Sequence, residues 1–340
     1  MTNCIQINDK PMIWTQNVIN SKIFIIKVCY TLFKIYIYIN TNENSSFHAE
    51  VESKDIRFAK QLKSKYPAHQ FLRAQPILTK MAMIKSSHEI ELIQQAADIT
   101  EKAFKRVLEF TQPGVTEYEI EAEIIHQFMR NRANGHAYQP IVASGKNACV
   151  LHYGENNQVC KDGDVLLLDF GAEYANYAAD LSRSIPVNGR YSQRQLNVYN
   201  SVLHVMKAAT QMLVPGTRLD EYHKEVGKLM ESELVALKLI DKTDIKNQDP
   251  KRPAYKKYFM HGTSHHLGLD VHDLSYRHIP IQAGMVFTVE PGIYIPEENL
   301  GIRIENDILV TDDRPIDLME SIPVEAEAIE TFMNSEVLSS

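Results

Sequence analysis

A chain of 340 residues, 44% hydrophobic and 23% charged, has the composition of an ordinary globular protein with room for one large domain or two of usual size. A formal net charge of −7 gives no reason to expect a nucleic-acid partner. Four cysteines (Cys4, Cys29, Cys149 and Cys160) show neither Cys-x-x-Cys spacing nor disulfide density, which fits a reducing compartment and a cytoplasmic protein.

The first eighty residues differ from the rest. Ten isoleucines fall in the first fifty positions, and no glycine occurs before Gly114. The apolar run from Ile23 to Ile39 carries Lys27 and Lys34 inside it, each costing roughly 2.5–3.5 kcal/mol at the centre of a membrane span. Its β-branched and aromatic content predicts strand instead, and no membrane association is expected. A polar stretch from Asn40 to Ser46 and a short helix from Lys54 to Tyr66 follow. Residues 1–80 are thus expected to form a short or atypical N-terminal region, and residues 81–340 the main domain.

From Ser86 the helix signals are clear. Ser86-Ser-His-Glu89 is a capping box, in which serine and glutamate each satisfy a free backbone N–H. Ile90, Ile93, Ala97 and Phe104 then recur at helical spacing until Pro113-Gly114. Thr116 to Glu119 repeats the box, and a second helix is expected to about Asn134. A strand from Pro140 to Ser144 leads to a polar turn and Leu151-His152-Tyr153. Two strands, Val165–Tyr174 and Tyr177–Val187, read as a hairpin turning near Asn176, which brings Asp169 and Asp180 together if they share a face. Ser192 caps a third helix to about Leu213, and a fourth runs from Leu219 to Leu237. The charged stretch Asp241–Lys257 reads as a surface loop. Met285–Ile295 and Gly301–Thr311 form another strand pair, with Arg303, Glu305 and Asp307 on one face by period two. Helices alternating with antiparallel strand pairs predict an α+β domain with a curved sheet. Residues 86–213 and 215–311 hint at an internal duplication.

Chemistry concentrates in two patterns. Four histidines (His261, His265, His266 and His272) fall within twelve residues. Asp169, Asp180, Glu290 and Glu305 each sit in an apolar, strand-like frame, where a carboxylate is costly to bury unless something neutralises it. Four carboxylates and one imidazole suit a pair of divalent cations, and the oxygen-rich set favours Mn²⁺ over a thiolate-loving ion. Two such ions polarise a water and a carbonyl, which is the chemistry of peptide or ester hydrolysis.

His261-Gly-Thr-Ser-His265-His-Leu-Gly-Leu-Asp-Val-His272-Asp, with Asp169, Asp180, Thr-Val-Glu290-Pro-Gly and Arg-Ile-Glu305-Asn-Asp, closely resembles aminopeptidase P, the Xaa-Pro aminopeptidases of the pita-bread metallopeptidases. The resemblance covers about residues 80 to 333, including the link Met83-Ile-Lys-Ser86 and the closing Ile322-Pro-Val-Glu325. It implies a pita-bread catalytic domain in which Asp169 binds one metal, Asp180 and Glu305 bridge both, and His265 and Glu290 complete the second. Glu290 is also implied as a general base. His152, His261 and His272 are implied to line the substrate site, His272 steadying the oxyanion or the scissile amide and His261 touching the proline side. Tyr294 and Arg303 would orient the metal-binding carboxylates. His266 has no implied role and reads as a pocket or surface residue; His204, His223 and His278 read as ordinary surface or core histidines.

The implied substrate is a peptide with proline second, cut before that proline, and a homo-oligomer is left open. The family usually carries a full α/β domain ahead of the catalytic one, whereas about eighty residues precede it here. The nearest rival is a prolidase, which cuts Xaa-Pro dipeptides; Ser264 favours aminopeptidase P. A methionine aminopeptidase fits the histidine-rich segment poorly. A non-catalytic binding module of the same fold, or a metal-free hydrolase, would be expected to have lost metal ligands.

Overall fold

The computed structural model describes residues 6–7, 10–11, 25–27, 36–41 and 51–335. The chain divides into two compact units, Met1–Met81 and Ala82–Ser340. In the first, strand Tyr36–Ile39 pairs antiparallel with Ile25–Lys27 and parallel with Gln70–Arg73. The first two of these strands lie in the apolar run read as strand. The rest of that run, most of the polar stretch after it, and Cys4 and Cys29 lie outside the described residues. The expected helix spans Lys54–Lys65, its first turn closed by the Ser53 hydroxyl, which accepts from the Ile56 N–H at 3.2 Å. A second helix, Gln75–Met83, was not expected; Pro76 lies in its first turn, where a missing N–H costs nothing. No helix among the described residues is long and apolar enough to cross a membrane.

In the second unit the capping signals act as expected. Helix α1 (Ser87–Phe110) opens on the Ser86 box, with the Ser86 N–H donating to the Glu89 carboxylate at 2.8 Å. Ile93, Ala97, Phe104 and Val107 form its buried stripe, and full burial of a side chain such as Phe104 contributes roughly 1.5–3 kcal/mol. Helix α2 (Glu117–Arg130) packs against it. Helices α3 (Gln193–Gln211) and α4 (Leu219–Ala236) form a second packed pair. The stretch read as loop after Asp241 instead contains a short helix, α5 (Lys242–Lys246), and a 3-10 turn at Ala254–Lys257. The reason is local: the Asp241 carboxylate accepts from the N–H groups of Thr243 and Asp244, and charge count alone hid that cap.

The sheets are antiparallel and interrupted. Strand β1 (Gly135–His136) pairs with β4 (Ala172–Tyr174), which pairs with β5 (Tyr177–Ala178). Strand β2 (Ile141–Ser144) pairs with β3 (Val165–Phe170), which pairs with β6 (Leu181–Pro186). The two-residue turn uses Ala175 and Asn176 at φ 49° and 71°, the backbone that a twisted hairpin demands. The expected hairpin is therefore present but broken in two. Asp169 faces Ser182 in the ladder, not Asp180. The break comes from Gly171, where an added Cβ would lie 1.7 Å from the Ala179 carbonyl oxygen. That close approach takes Asp180 out of the ladder, and its N–H donates to Asp307 Oδ2 at 3.0 Å instead.

The second pair is broken in the same way. Strand β7 (Val286–Val289) pairs with β10 (Asn306–Leu309), and β8 (Gly292–Ile295) with β9 (Leu300–Arg303). Glu290 lies between β7 and β8, and Glu305 between β9 and β10. An isolated bridge between Ser182 and Glu305 joins the two broken hairpins where all the acids lie. Each hairpin follows a packed helix pair, α1 with α2 and α3 with α4. The repeat suggested by the sequence thus starts at α3 rather than after it, because α3 packs on α4 and the second set of strands.

Candidate metal centre

One carboxylate oxygen each of Asp180 and Glu305 and one ring nitrogen of His265 all lie within 4.8 Å of one another. Asp180 is 5% exposed and Glu305 2%, so two anions share a space with almost no water to solvate them. Such a pair is costly unless a cation joins it.

His265 shows what kind of cation fits. With its Nδ1–H donated to the His266 carbonyl at 3.1 Å, Nε2 is turned toward Asp180 Oδ2 at 3.4 Å and Glu290 Oε1 at 3.7 Å. A bare lone pair facing two carboxylates is untenable, so that nitrogen takes either a proton or a metal ion. In the metal-free site burial opposes the proton, but the Asp180 hydrogen bond and the charges of Asp180 and Glu290 prevail and push the ring up to about 9. Burial lifts the Glu290 carboxyl up to about 7, with Asp180 adding to it and His265 opposing. It lifts Glu305 well above the usual carboxylate range, helped by Asp180, Glu290 and Asp169. The donor set of oxygens and one imidazole fits one or more divalent cations of the Mn²⁺ or Zn²⁺ kind.

These shifts set a pH dependence. Glu290 rises from 4.5 to about 7 on folding, so the folded state holds its proton more tightly and stability falls as pH climbs through that window. His265, raised from 6.5 to about 9, contributes stability that is whole below the lower value and lost as pH passes the upper one. Both act in one direction. The rise in Tm produced by added divalent cation is therefore expected to grow from about pH 5 to about pH 9, measured by thermal melts with and without chelator. A cation effect that shrinks over that range would contradict the site.

Asp169 is joined to the cluster by a residue the sequence did not flag. The Tyr138 hydroxyl lies 2.6 Å from Asp169 Oδ1 and 2.5 Å from Asp180 Oδ1. Burial and then the charges of Asp169, Asp180 and Glu305 hold this phenol well above its usual range, so it stays a donor. Its one proton serves one carboxylate at a time. Tyr138 sits between β1 and β2 in no recognisable pattern, and only the folded sheet brings it to the acids.

Arg303 ties the acids to the histidines. Its Nη2 donates to Asp169 Oδ2 at 2.5 Å, its Nε to the Ser182 hydroxyl at 2.8 Å, and its Nη1 to the Tyr294 hydroxyl at 2.9 Å. The Ser182 hydroxyl passes its own proton to Glu305 Oε2 at 2.6 Å. Burial, then the nearby Arg303 charge, drive His261 down to about 3, so the ring is neutral. With Nδ1–H donated to the Gly262 carbonyl at 2.8 Å, His261 Nε2 accepts from the Tyr294 hydroxyl at 2.8 Å. The proton order from Asp169 through Arg303 and Tyr294 to His261 is thus fixed. Behind Glu305, the fully buried Arg183 donates to the Glu305 carbonyl at 2.7 Å.

The remaining histidines divide. His272 stands with its ring centroid 4.1 Å from that of His265, and burial and then the His265 charge lower its basicity. His152 lies close enough to act electrostatically on both His261 and His272. Its segment is held by Glu117, whose buried carboxylate accepts from the Ser144 N–H, Asn147 Nδ2, the Tyr153 hydroxyl and the Gln158 N–H. His266 is not a pocket or surface residue: it is 3% exposed, its ring packed at a tilt of 46° against Phe287 with centroids 4.2 Å apart. Neighbouring residues on an extended segment face opposite ways, which sends His265 to the acids and His266 to the core. His223 is closer to the site than expected, since the Thr263 N–H points at its Nδ1 at 3.4 Å. Ser264 shares a hydrogen bond with the Tyr222 hydroxyl at 2.9 Å, which braces the histidine-rich segment on α4. His204 pairs with Glu233 at the surface, and His278 lies exposed beside Tyr276.

The chain is similar to known proteins in both sequence and fold. The chain is 42% identical to the Xaa-Pro aminopeptidase of Haemophilus influenzae over 277 residues, 78% of this chain and 64% of that one. It is 41% identical to the Xaa-Pro aminopeptidase of Escherichia coli over 272 residues, 76% of this chain and 61% of that one. It therefore spans a little under two thirds of the length of these relatives. Among solved structures, Escherichia coli aminopeptidase P with the inhibitor Pro-Leu superposes with a TM-score of 0.79 at 35% identity, covering 89% of this chain and 71% of that one. A zinc-substituted form of the Escherichia coli protein in complex with product gives 0.77 at 36% identity, covering 85% and 70%. The α+β architecture of antiparallel sheets flanked by helices is the pita-bread domain expected from the sequence. Residues 91–312 match metallopeptidase family M24, and the chain belongs to that family.

Proposed function

We propose that the protein is a metal-dependent aminopeptidase that releases the N-terminal residue from peptides with proline in second place, using two manganese ions. The observation that carries this reading is the buried meeting of Asp180, His265 and Glu305, with Asp169 and Glu290 at its edges. The named activity of the relatives supports the substrate class. The reaction belongs in the cytoplasm, a reducing compartment that suits the free thiols of Cys149 and Cys160.

Asp169 would hold one ion, Asp180 and Glu305 both, and His265 and Glu290 the second. When bound, such a pair supplies Lewis acidity, lowering the pKa of a water and polarising the scissile carbonyl. The side chains do the rest. Glu290 has both carboxylate oxygens facing histidine nitrogens at 3.6 and 3.7 Å, outside hydrogen-bond distance. With no hydrogen bond to its side chain among the described residues, it is suited to a second role beside that of ligand, taking the proton of an attacking water. His272, whose basicity burial lowers, can donate an N–H to the oxygen on which charge develops. His261 has its Nε2 occupied by Tyr294 and packs edge-on to Phe259 at 4.9 Å. It offers the substrate a ring face instead of a hydrogen bond. That is what a proline needs, since its nitrogen has no N–H to grip.

The test is release of the first residue from Xaa-Pro-Yaa and Xaa-Pro peptides after chelation, with Mn²⁺ added back. Manganese-restored cleavage of the longer peptide is expected. Cleavage of the dipeptide alone would make the protein a prolidase, and cleavage unaffected by chelation would end the metal assignment.

A further inference from the structure

One buried ion pair beside the site has no part in the chemistry above. Lys85 Nζ lies 3.0 Å from Asp273 Oδ2, with side chains 1% and 2% exposed. Lys85 comes from the link before α1 and is fixed there by its N–H, which donates to the Gly284 carbonyl at 2.8 Å. Asp273 directly follows His272 and ends the loop that His265 begins.

The two arms of that loop are held differently. The His265 arm is pinned to β7: the His265 N–H donates to the Thr288 hydroxyl at 3.1 Å, the Thr288 N–H to the His265 carbonyl at 3.0 Å, and the Leu267 N–H to the Val286 carbonyl at 3.1 Å. Among the described residues the His272 arm has no strand partner. Its end is closed by the Asp273 N–H, which donates to the His266 carbonyl at 3.0 Å, and by the side-chain pair with Lys85. The chain folds tightly over that pair. A Cβ on Gly268 would come 2.2 Å from Asp273 Oδ2 and 2.9 Å from Lys85 Cε, so the loop has room there for glycine only.

We propose that Lys85, through Asp273, is a positioning residue that fixes the His272 ring against His265. The proposal rests on the reading of His272 as a substrate-facing group. A buried charge pair suits this task because its energy depends steeply on geometry and its partners have no good alternative in a dry interior.

Removing one partner would strand a buried charge and could unfold the protein, so the test removes both charges in Lys85→Met/Asp273→Asn. Two readouts are needed. The first is the nuclear Overhauser contact between the His265 and His272 ring protons in histidine-labelled, metal-free protein, which should be seen in the wild type and lost in the double variant. The second is cleavage of an Xaa-Pro-Yaa peptide. There kcat should fall about tenfold with KM little changed, the size of effect expected from disturbing a group that orients a site residue. The same two substitutions made on a His272→Ala background should cost less than about twofold, because the residue they act through is gone. A ring contact that persists in the folded variant, or an equal loss of kcat in both backgrounds, would overturn the proposal. Absence of any peptide cleavage by the wild type would overturn the functional reading and not the pair, which the ring contact would still decide.

Discussion

Asp180→Ala is expected to abolish peptide cleavage and to lower the metal content together. Asp180 is the residue most entangled in the centre. One of its oxygens lies 3.4 Å from His265 Nε2, the other 2.5 Å from the Tyr138 hydroxyl, and its N–H is held by Asp307. Deleting the carboxylate removes a donor common to both proposed ions and leaves His265 without its nearest anion. Metal analysis after dialysis, run beside the peptide assay, separates the outcomes. A variant that keeps both its metal and its activity would dismiss Asp180 as a ligand.

His272→Ala should give the second large loss, of a different kind. The ring stands at the exposed side of the cluster, 4.1 Å from His265, and no contact ties it to Asp169, Glu290 or Glu305 among the hydrogen bonds of the described residues. Turnover is expected to fall by about a hundredfold or more, as for loss of one oxyanion-stabilising or proton-donating group, with metal content near normal. Metal lost along with activity would make His272 a ligand and not a substrate-facing group.

The parts of this fold that could be read from the sequence are those decided within a few residues. The Ser86 and Ser192 boxes close on Glu89 and Gln195, three positions away, so the helix starts need no tertiary information. The carboxylates could be singled out because apolar neighbours make an ionised group conspicuous. What could not be read depends on long-range approach. The break in the first hairpin follows from Gly171 meeting the Ala179 carbonyl, a contact invisible in alternation patterns. Tyr138 serves acids 31 and 42 positions away and resembles any tyrosine before a strand. The burial of His266 was legible in principle, since alternation opposes it to His265, but the polarity of an imidazole favoured reading it as a pocket or surface residue.

The run of contacts from Asp169 through Arg303 and Tyr294 to His261 has a thermodynamic corollary. It wires the acid cluster to the ring proposed to face proline, with every proton assigned. Whatever neutralises Asp169 alters the hold on Arg303, and through Tyr294 the set of the His261 ring. Affinity for a cation and affinity for a proline-bearing ligand are then linked quantities. By reciprocity, each must change the other by the same factor. A peptide that seats its second residue against His261 would then bind with one affinity in the presence of the proposed cation and with another in its absence.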